Sequence, residues 1–331
     1  MKNARIVSFG SYIPPKVVTN KDLEQMLNTT DEWIQQRSGI KERHWVEAGV
    51  DTTLTMAKKA CEDALKKGNL KADDVDFIIF GCLLSDYVFP GTGCLLQQAL
   101  GFSKPVPALD IRNQCSGFLY GLSIANAFIR SGIYKKIIIV GSEIHSNRLD
   151  KTPAGRDVSV LFGDGAGACI VEASDETGII DIHLASQGVG SEALCVKEPG
   201  SNFEWRRDFK SVDDRSFYPM MEGRLVFKNA VERMCESMMQ TLAKNNFKNT
   251  DVDFVIAHQA NMRINAMVLE QLKIPWEKTH HTIERYGNTT MATIPITMGE
   301  AVDLKKIKRG DLVAMVAFGA GFTWGSALVR F

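Results

Sequence analysis

Cys115 stands in the run Asn113-Gln114-Cys115-Ser116-Gly117-Phe118-Leu119-Tyr120-Gly121. The apolar residues 106–111 before it predict a buried strand, and the Leu-, Ile-, Ala- and Phe-rich residues after it, to about Arg130, predict a largely buried helix. A thiol where a strand turns into a helix faces unpaired first-turn N–H groups and the positive end of the helix dipole. Both favour the thiolate, which is the nucleophilic form. Gly117 in the first turn leaves room for a ligand to approach the sulfur. The bland alternative is a small buried hydrophobe, one of seven cysteines. Taken alone, the local pattern leaves both open.

The other cysteines, at 61, 82, 94, 169, 195 and 235, form no Cys-x-x-Cys pair and no spacing typical of zinc sites. With Cys115 they make an odd total of seven, and that number and their scatter point to a reducing, cytoplasmic setting without a disulfide framework. Lys plus Arg and Asp plus Glu are 39 each, a balance that argues against a dedicated nucleic-acid binder. The N-terminal run enters a strand without a signal-peptide core. The longest apolar runs fall short of the ~20 residues that a membrane span needs, so a soluble protein is expected. With 331 residues and 45% hydrophobic content, one large α/β unit or two sub-domains can be buried.

The elements that must position Cys115 come in two copies. Residues 65–79 align without a gap on residues 242–256, with nine of fifteen positions identical. Each copy reads as a helix end, a polar loop and a buried strand. A looser echo pairs Ile137-Ile138-Ile139-Val140-Gly141 with residues 313–319 at nearly the same offset. Duplication of an α/β half is the economical explanation, with halves 1–175 and 176–331. Topologically matching loops would then bring Cys115 from the first half together with His258 and Asn288 from the second. In the middle of the chain, Gly163-Asp164-Gly165-Ala166-Gly167 runs straight into a strand. It is therefore read as a tight connection and not as a dinucleotide fingerprint. Arg37 to Arg43 is expected to be a charged turn and extended segment, and residues 196–218 a surface excursion or lid.

These motifs resemble those of β-ketoacyl-ACP synthase III. The likeness lies in the Cys115 turn, His258-Gln259-Ala260-Asn261, Tyr286-Gly287-Asn288-Thr289, the stretch from Phe162 to Ala168, Trp33-Ile34 with the following Arg37-Ser38-Gly39-Ile40-Lys41-Glu42-Arg43, and the terminal Gly319-to-Arg330 segment. It runs from end to end in the family's order. The resemblance implies a thiolase-like α/β fold, two five-stranded duplicated halves in a five-layer α-β-α-β-α sandwich, usually a homodimer. The implied reaction is decarboxylative Claisen condensation of an acyl-CoA primer with malonyl-ACP, which starts fatty-acid synthesis. Cys115 would carry the acyl group, with His258 and Asn288 as donors to the enolate oxygen. The CoA thioester is a substrate, and neither a metal nor a permanently bound cofactor is expected.

The resemblance further implies that Trp33 and Arg156 flank the CoA adenine, and that Arg37, Asn261, Gly223 and Arg224 belong to the CoA site. Lys228 and Arg263 would attract the acidic carrier protein, and Gly319-Ala320-Gly321 would form an oxyanion-binding turn. Phe89 would reach a partner's acyl pocket. Several residues depart from the common pattern: Asn113-Gln114 before the cysteine, Arg224, Glu270-Gln271, Met291 and Thr293. They leave primer choice and carrier docking open, including a divergent paralogue acting on longer or branched chains, or an acyltransferase in secondary metabolism. A degradative thiolase is disfavoured, because no cysteine follows Cys235 to act as the second base. A non-catalytic scaffold would not need a complete Cys–His–Asn set.

Overall fold

The computed structural model of the chain describes residues 2–201 and 215–331. The expected lid residues Trp205, Arg206 and Arg207 lie outside the described residues. Nine strands build two sheets: β1 (Asn3–Tyr12), β2 (Phe77–Gly81), β3 (Ala108–Ile111), β4 (Lys136–Glu143), β5 (Gly165–Ser174), β6 (Ile179–Ser186), β7 (Phe254–Ala257), β8 (Leu312–Gly319) and β9 (Thr323–Arg330). The first sheet runs β1-β5-β4-β2-β3 and the second β7-β8-β9-β6. Read from the opposite edge, the second repeats the first in order and direction. β2 and β7 each pair in parallel with the next strand inward, β4 or β8, and the outer two neighbours pair antiparallel. The sequence repeat at 65–79 and 242–256 thus corresponds to β2 and β7 with the helix ends before them.

The second half departs from the expected five strands. Where β3 flanks β2, the second sheet has, among the described residues, only an isolated parallel bridge between Val255 and Thr279. β3 also departs from expectation: it is an edge strand with Leu109 and Asp110 exposed, not a buried one. Only one side of β3 is paired, which leaves a ladder of backbone groups open.

Five layers result. Helix Thr53–Lys67 covers the outer face of the first sheet through Met56, Ala60 and Ala64. Helices Gly223–Lys244 and Met262–Gln271 cover the outer face of the second through Met234, Met238 and Val268. Helices Gly117–Arg130 and Thr293–Asp303 lie between the sheets, in one cluster with strand residues of both. A helix sandwiched in this way must be apolar nearly all round, which explains the composition after Cys115. Among the described residues, no helix is long and apolar enough to cross a membrane.

Candidate active site

The start of the central helix is where chemistry meets fold. Gln114–Ser116 form one 3-10 turn between β3 and helix Gly117–Arg130. Cys115 is buried within it, and Gln114 adopts a left-handed backbone, φ 37°. Gly319 at the end of β8 packs so close that a Cβ there would sit 2.7 Å from Cys115 Cβ. Two expectations about this turn meet opposing features. Burial, with Glu143 nearby, pushes the Cys115 thiol up to about 12, against weaker hydrogen bonding from its own backbone N–H and the Asn288 side chain. Desolvation thus works against the thiolate that the helix start was expected to favour. The space beside Gly117 does not await a ligand either: Met291 Sδ occupies it, 2.8 Å from where a Cβ would stand. Met291 also fills the space that side chains at Gly81 and Gly141 would need.

The second half supplies the rest. His258 follows β7, its backbone N–H held by Val316 O at 2.8 Å. Its Nδ1 lies 2.7 Å from Thr293 Oγ1, while Nε2 is buried without a hydrogen-bond partner among the described residues. Burial lowers its pKa to about 3, so the imidazole is neutral at physiological pH. Asn288 is clamped by the backbone of the first half. Its N–H donates to Leu161 O at 2.8 Å, and its carbonyl accepts from Gly163 N at 3.2 Å. Its Oδ1 accepts from Thr290 N at 2.8 Å, which leaves the amide nitrogen turned to Cys115. Only glycine tolerates the turn before it: Gly287 has φ 63° and backbone crowding at 2.9 Å from Leu161 O.

Cys115, His258, Asn288 and Gly319 line one cavity of about 90 Å³. Its walls share Leu161, Met221, Gly223, Phe227 and Asn261 with an outer cavity of about 600 Å³, so the two make a passage from surface to sulfur. The outer walls bring together Trp33, Arg37, Arg156, Arg224 and Arg263. The Arg156 guanidinium lies 4.7 Å above the Trp33 ring and that of Arg37 5.7 Å away. Asn261 caps helix Met262–Gln271 by accepting from Arg263 N at 2.9 Å, and it donates to Arg37 O at 2.9 Å. A mouth with four arginines and one acid, Asp157, suits a polyanion such as a nucleoside phosphate. Beyond Cys115 a further pocket of about 260 Å³ opens, lined by Gln114, Ala320 and Phe162 among others.

Not every expected residue is brought to this passage. Lys228 is exposed on its helix and lines none of these cavities. Phe89 stands 84% exposed beside Val88 at 92% and lines none of these cavities. Gly321 ends the turn with φ 135° but does not line the cavities, whereas Gly319 and Ala320 do.

Two other positioning residues lie in stretches that carry the family resemblance, but their roles are not legible there. Arg43, expected on a charged turn, is entirely buried. It donates to Asn20 Oδ1 at 2.8 Å, Val160 O at 2.8 Å and Val18 O at 3.2 Å, and so ties the residue before the Leu161–Gly163 clamp to Val18 and Asn20. Asp164, in the expected tight connection, accepts from Val46 N, His145 N, Ser146 N and Ser146 Oγ. Both residues face inward only because of the tertiary fold, which a linear motif does not encode.

A duplicated α/β sandwich with a buried cysteine, a histidine and an asparagine around one blind passage defines the class of thiolase-like condensing enzymes. Known proteins narrow this. Residues 109–188 match the family model described as 3-oxoacyl-[acyl-carrier-protein (ACP)] synthase III, and residues 242–331 match its C-terminal model. The chain is 40% identical over 328 residues to the β-ketoacyl-[acyl-carrier-protein] synthase III of Actinobacillus pleuropneumoniae, covering 99% of both proteins. It is 41% identical over 332 residues to that of Alkalilimnicola ehrlichii, covering 100% of both. The crystal structure of the Aquifex aeolicus synthase III superposes with a TM-score of 0.90 at 40% identity, covering 99% of this chain and 100% of that one. The chain belongs to the β-ketoacyl-ACP synthase III family. It is an acyltransferase that makes 3-oxoacyl-ACP by condensation in fatty-acid synthesis.

Proposed function

We propose that the reaction runs through an acyl-Cys115 intermediate, with an acyl-CoA as primer and malonyl-ACP as extender. In the first half, Cys115 Sγ attacks the thioester carbonyl, the carbon–sulfur bond to CoA breaks, and the thiol proton leaves with CoA as its free thiol. The Cys115 N–H and the Gly319-Ala320-Gly321 turn hold the oxyanion. In the second half, malonyl thioester loses CO2, and the electron pair of that bond becomes an enolate. The enolate carbon attacks the acyl carbonyl, and Cys115 departs and regains a proton. The enolate oxygen needs donors that are already in place, and His258 Nε2 with the Asn288 amide fills that role. The observation that carries this reading is His258 Nε2, buried and unpartnered in the cavity it shares with Cys115. A buried polar atom left unpaired is costly and is retained where a ligand completes it.

In the same reading, the CoA adenine lies between Trp33 and Arg156, and Arg37, Arg224, Asn261 and Gly223 line its path inward. Arg263 at the mouth and Lys228, exposed on helix Gly223–Lys244, attract the acidic carrier. Nothing stays permanently bound, and CoA enters and leaves as substrate and product. The chain acts in the cytoplasm as a homodimer, supported by the open edge of β3 and the exposed apolar Tyr87, Val88 and Phe89. The two halves divide at 175/176, in the link between β5 and β6.

The test is direct. The protein is incubated with a panel of acyl-CoAs and weighed intact, then given malonyl-ACP while CO2 is followed. An adduct lost in Cys115→Ala supports the reading. No adduct with any primer sinks it.

A further inference from the structure

The pocket behind Cys115 is not the plain apolar tube that an alkyl chain needs. Leu83, Phe162, Leu194, Val196 and Pro219 give it an apolar body, but Arg112 and Gln114 also line it. At about 260 Å³ it far exceeds the ~10–15 Å³ that one water requires, so it holds an acyl chain of several carbons. Its polar groups are of two kinds. His145 Nε2 and Thr290 Oγ1 are hydrogen-bonded to each other and so already satisfied. Arg112 is different: among the described residues its guanidinium has neither a hydrogen bond nor an ion pair, and it is the one charged side chain in the wall.

No acid among the described residues is bonded to it, although Glu143 feels its charge. Asp110 is committed to Gly93 N at 3.1 Å. Glu143 is wholly buried behind Leu83, whose N–H it accepts at 3.0 Å. Burial pushes its carboxyl up to about 8 while the Arg112 charge opposes that rise, and no hydrogen bond or ion pair joins the two side chains. An alkyl primer filling this pocket would strip water from Arg112 and give nothing in exchange. A carboxylate would meet the guanidinium with paired, charge-assisted hydrogen bonds.

We propose that this pocket selects an acyl primer whose far end carries a carboxylate, with Arg112 as its partner and Gln114 beside it. The proposal rests on the acyl-Cys115 reading and names the substrate class of that site. It assigns specificity to the Arg112–Gln114 segment, which fixes the pocket wall next to the nucleophile.

The experiment uses shape-matched pairs: succinyl-CoA against 4-methylpentanoyl-CoA, and glutaryl-CoA against 5-methylhexanoyl-CoA. The rate of Cys115 acylation by each is read by intact mass at subsaturating concentration. The acidic member of at least one pair should acylate about tenfold faster or more, as expected for a charge-assisted contact. Arg112→Ala should flatten that ratio, Arg112→Glu should reverse it, and Arg112→Lys should keep its direction, with thermal melts checking that each variant folds. Equal or faster acylation by both alkyl members in the wild type overturns the proposal. So does a ratio that Arg112→Glu leaves unchanged. Adducts from alkyl primers alone remove this inference and leave the acyl-enzyme reading standing, whereas no adduct from any CoA, acetyl-CoA included, removes both.

Discussion

Thr293 Oγ1 lies 2.7 Å from His258 Nδ1 and 3.0 Å from Thr290 O. Its single proton can satisfy only one of them. When the proton goes to the Thr290 carbonyl, Nδ1 must carry the imidazole proton and Nε2 faces the cavity as a bare lone pair. When it goes to Nδ1, the ring keeps its proton on Nε2 and donates into the cavity. Donation to an enolate requires the second arrangement, so Thr293 is a positioning residue. Thr293→Val should lower condensation about tenfold, less than the ~10²–10³ lost with a direct donor. Thr293→Ser should restore it, and Cys115 acylation should change little in either variant. Stopped-flow acylation and CO2 release, measured separately, check this.

Removing the donors themselves separates the two half-reactions. His258→Ala or Asn288→Ala takes away one contact to the enolate oxygen, and each should cut condensation by ~10²–10³. Acylation of Cys115 should fall less, because its oxyanion is held by backbone N–H groups. Single-turnover acylation followed by malonyl-ACP addition reads both steps on one sample. A larger loss in acylation than in condensation would reverse the assignment.

Cys115 should behave as a thiol across the physiological range. With burial and Glu143 holding it up to about 12, the thiolate fraction rises about tenfold per pH unit well below that value. Iodoacetamide modification of the free enzyme, followed by intact mass, should therefore quicken from pH 7 to 9 without a plateau, by less than tenfold per unit near pH 8, where Glu143 ionises and opposes the thiolate. His258, lowered by burial to about 3, contributes no inflection in that window. A plateau below pH 8 would mean that the helix start wins over desolvation after all.

Much of this architecture is legible in the sequence, for a physical reason. The β2 and β7 repeat and the central helix after Cys115 are each fixed by local pattern. The meeting of Cys115, His258 and Asn288 follows once duplication is recognised, because equivalent loops emerge at equivalent strand ends. The misses arise where partners are distant in sequence. Arg43 looks like a surface charge until Val18, Asn20 and Val160 converge on it. Gly117 looks like space for a ligand until Met291 arrives from 174 residues away in the chain. The weaker fifth strand of the second half, reduced to the Val255–Thr279 bridge, lacks any apolar run that would announce its loss.

Met291 yields a stability prediction from that miss. It is 2% exposed and wedged where Gly81, Gly117 and Gly141 leave no side chains. Met291→Ala would leave a cavity beneath the nucleophile, and by the usual cost of such deletions should destabilise by ~2–5 kcal/mol. Gly117→Ala pushes a methyl group against the Met291 sulfur and should also destabilise. Combining the two should cost less than the sum, because the smaller residue at 291 relieves the clash. Denaturant unfolding of the three variants measures the coupling.

Glu143 links the site to pH-dependent stability. Burial raises its carboxyl from the ordinary 4.5 to about 8 in the folded protein. Below about pH 4.5 the carboxyl is protonated whether the chain is folded or not, and it has no net effect. Between 4.5 and 8 the unfolded chain ionises while the folded one resists, so the group increasingly favours unfolding as pH rises; above 8 the penalty levels off. Glu143→Gln keeps an oxygen to accept from Leu83 N and has no charge to desolvate. The variant should therefore be more stable than wild type at pH 8, by at least the ~1.4 kcal/mol that one pKa unit represents. The difference should shrink steadily toward pH 5. His145 and His258, both lowered by burial to about 3, act in the opposite direction. Their neutral forms favour the fold above about pH 6.5, and that advantage fades as pH falls toward 3 in both proteins alike. Urea unfolding of wild type and variant from pH 5 to 8.5 isolates the Glu143 contribution as the difference between the two curves. A difference that does not change with pH would show that Glu143 ionises as easily in the fold as outside it.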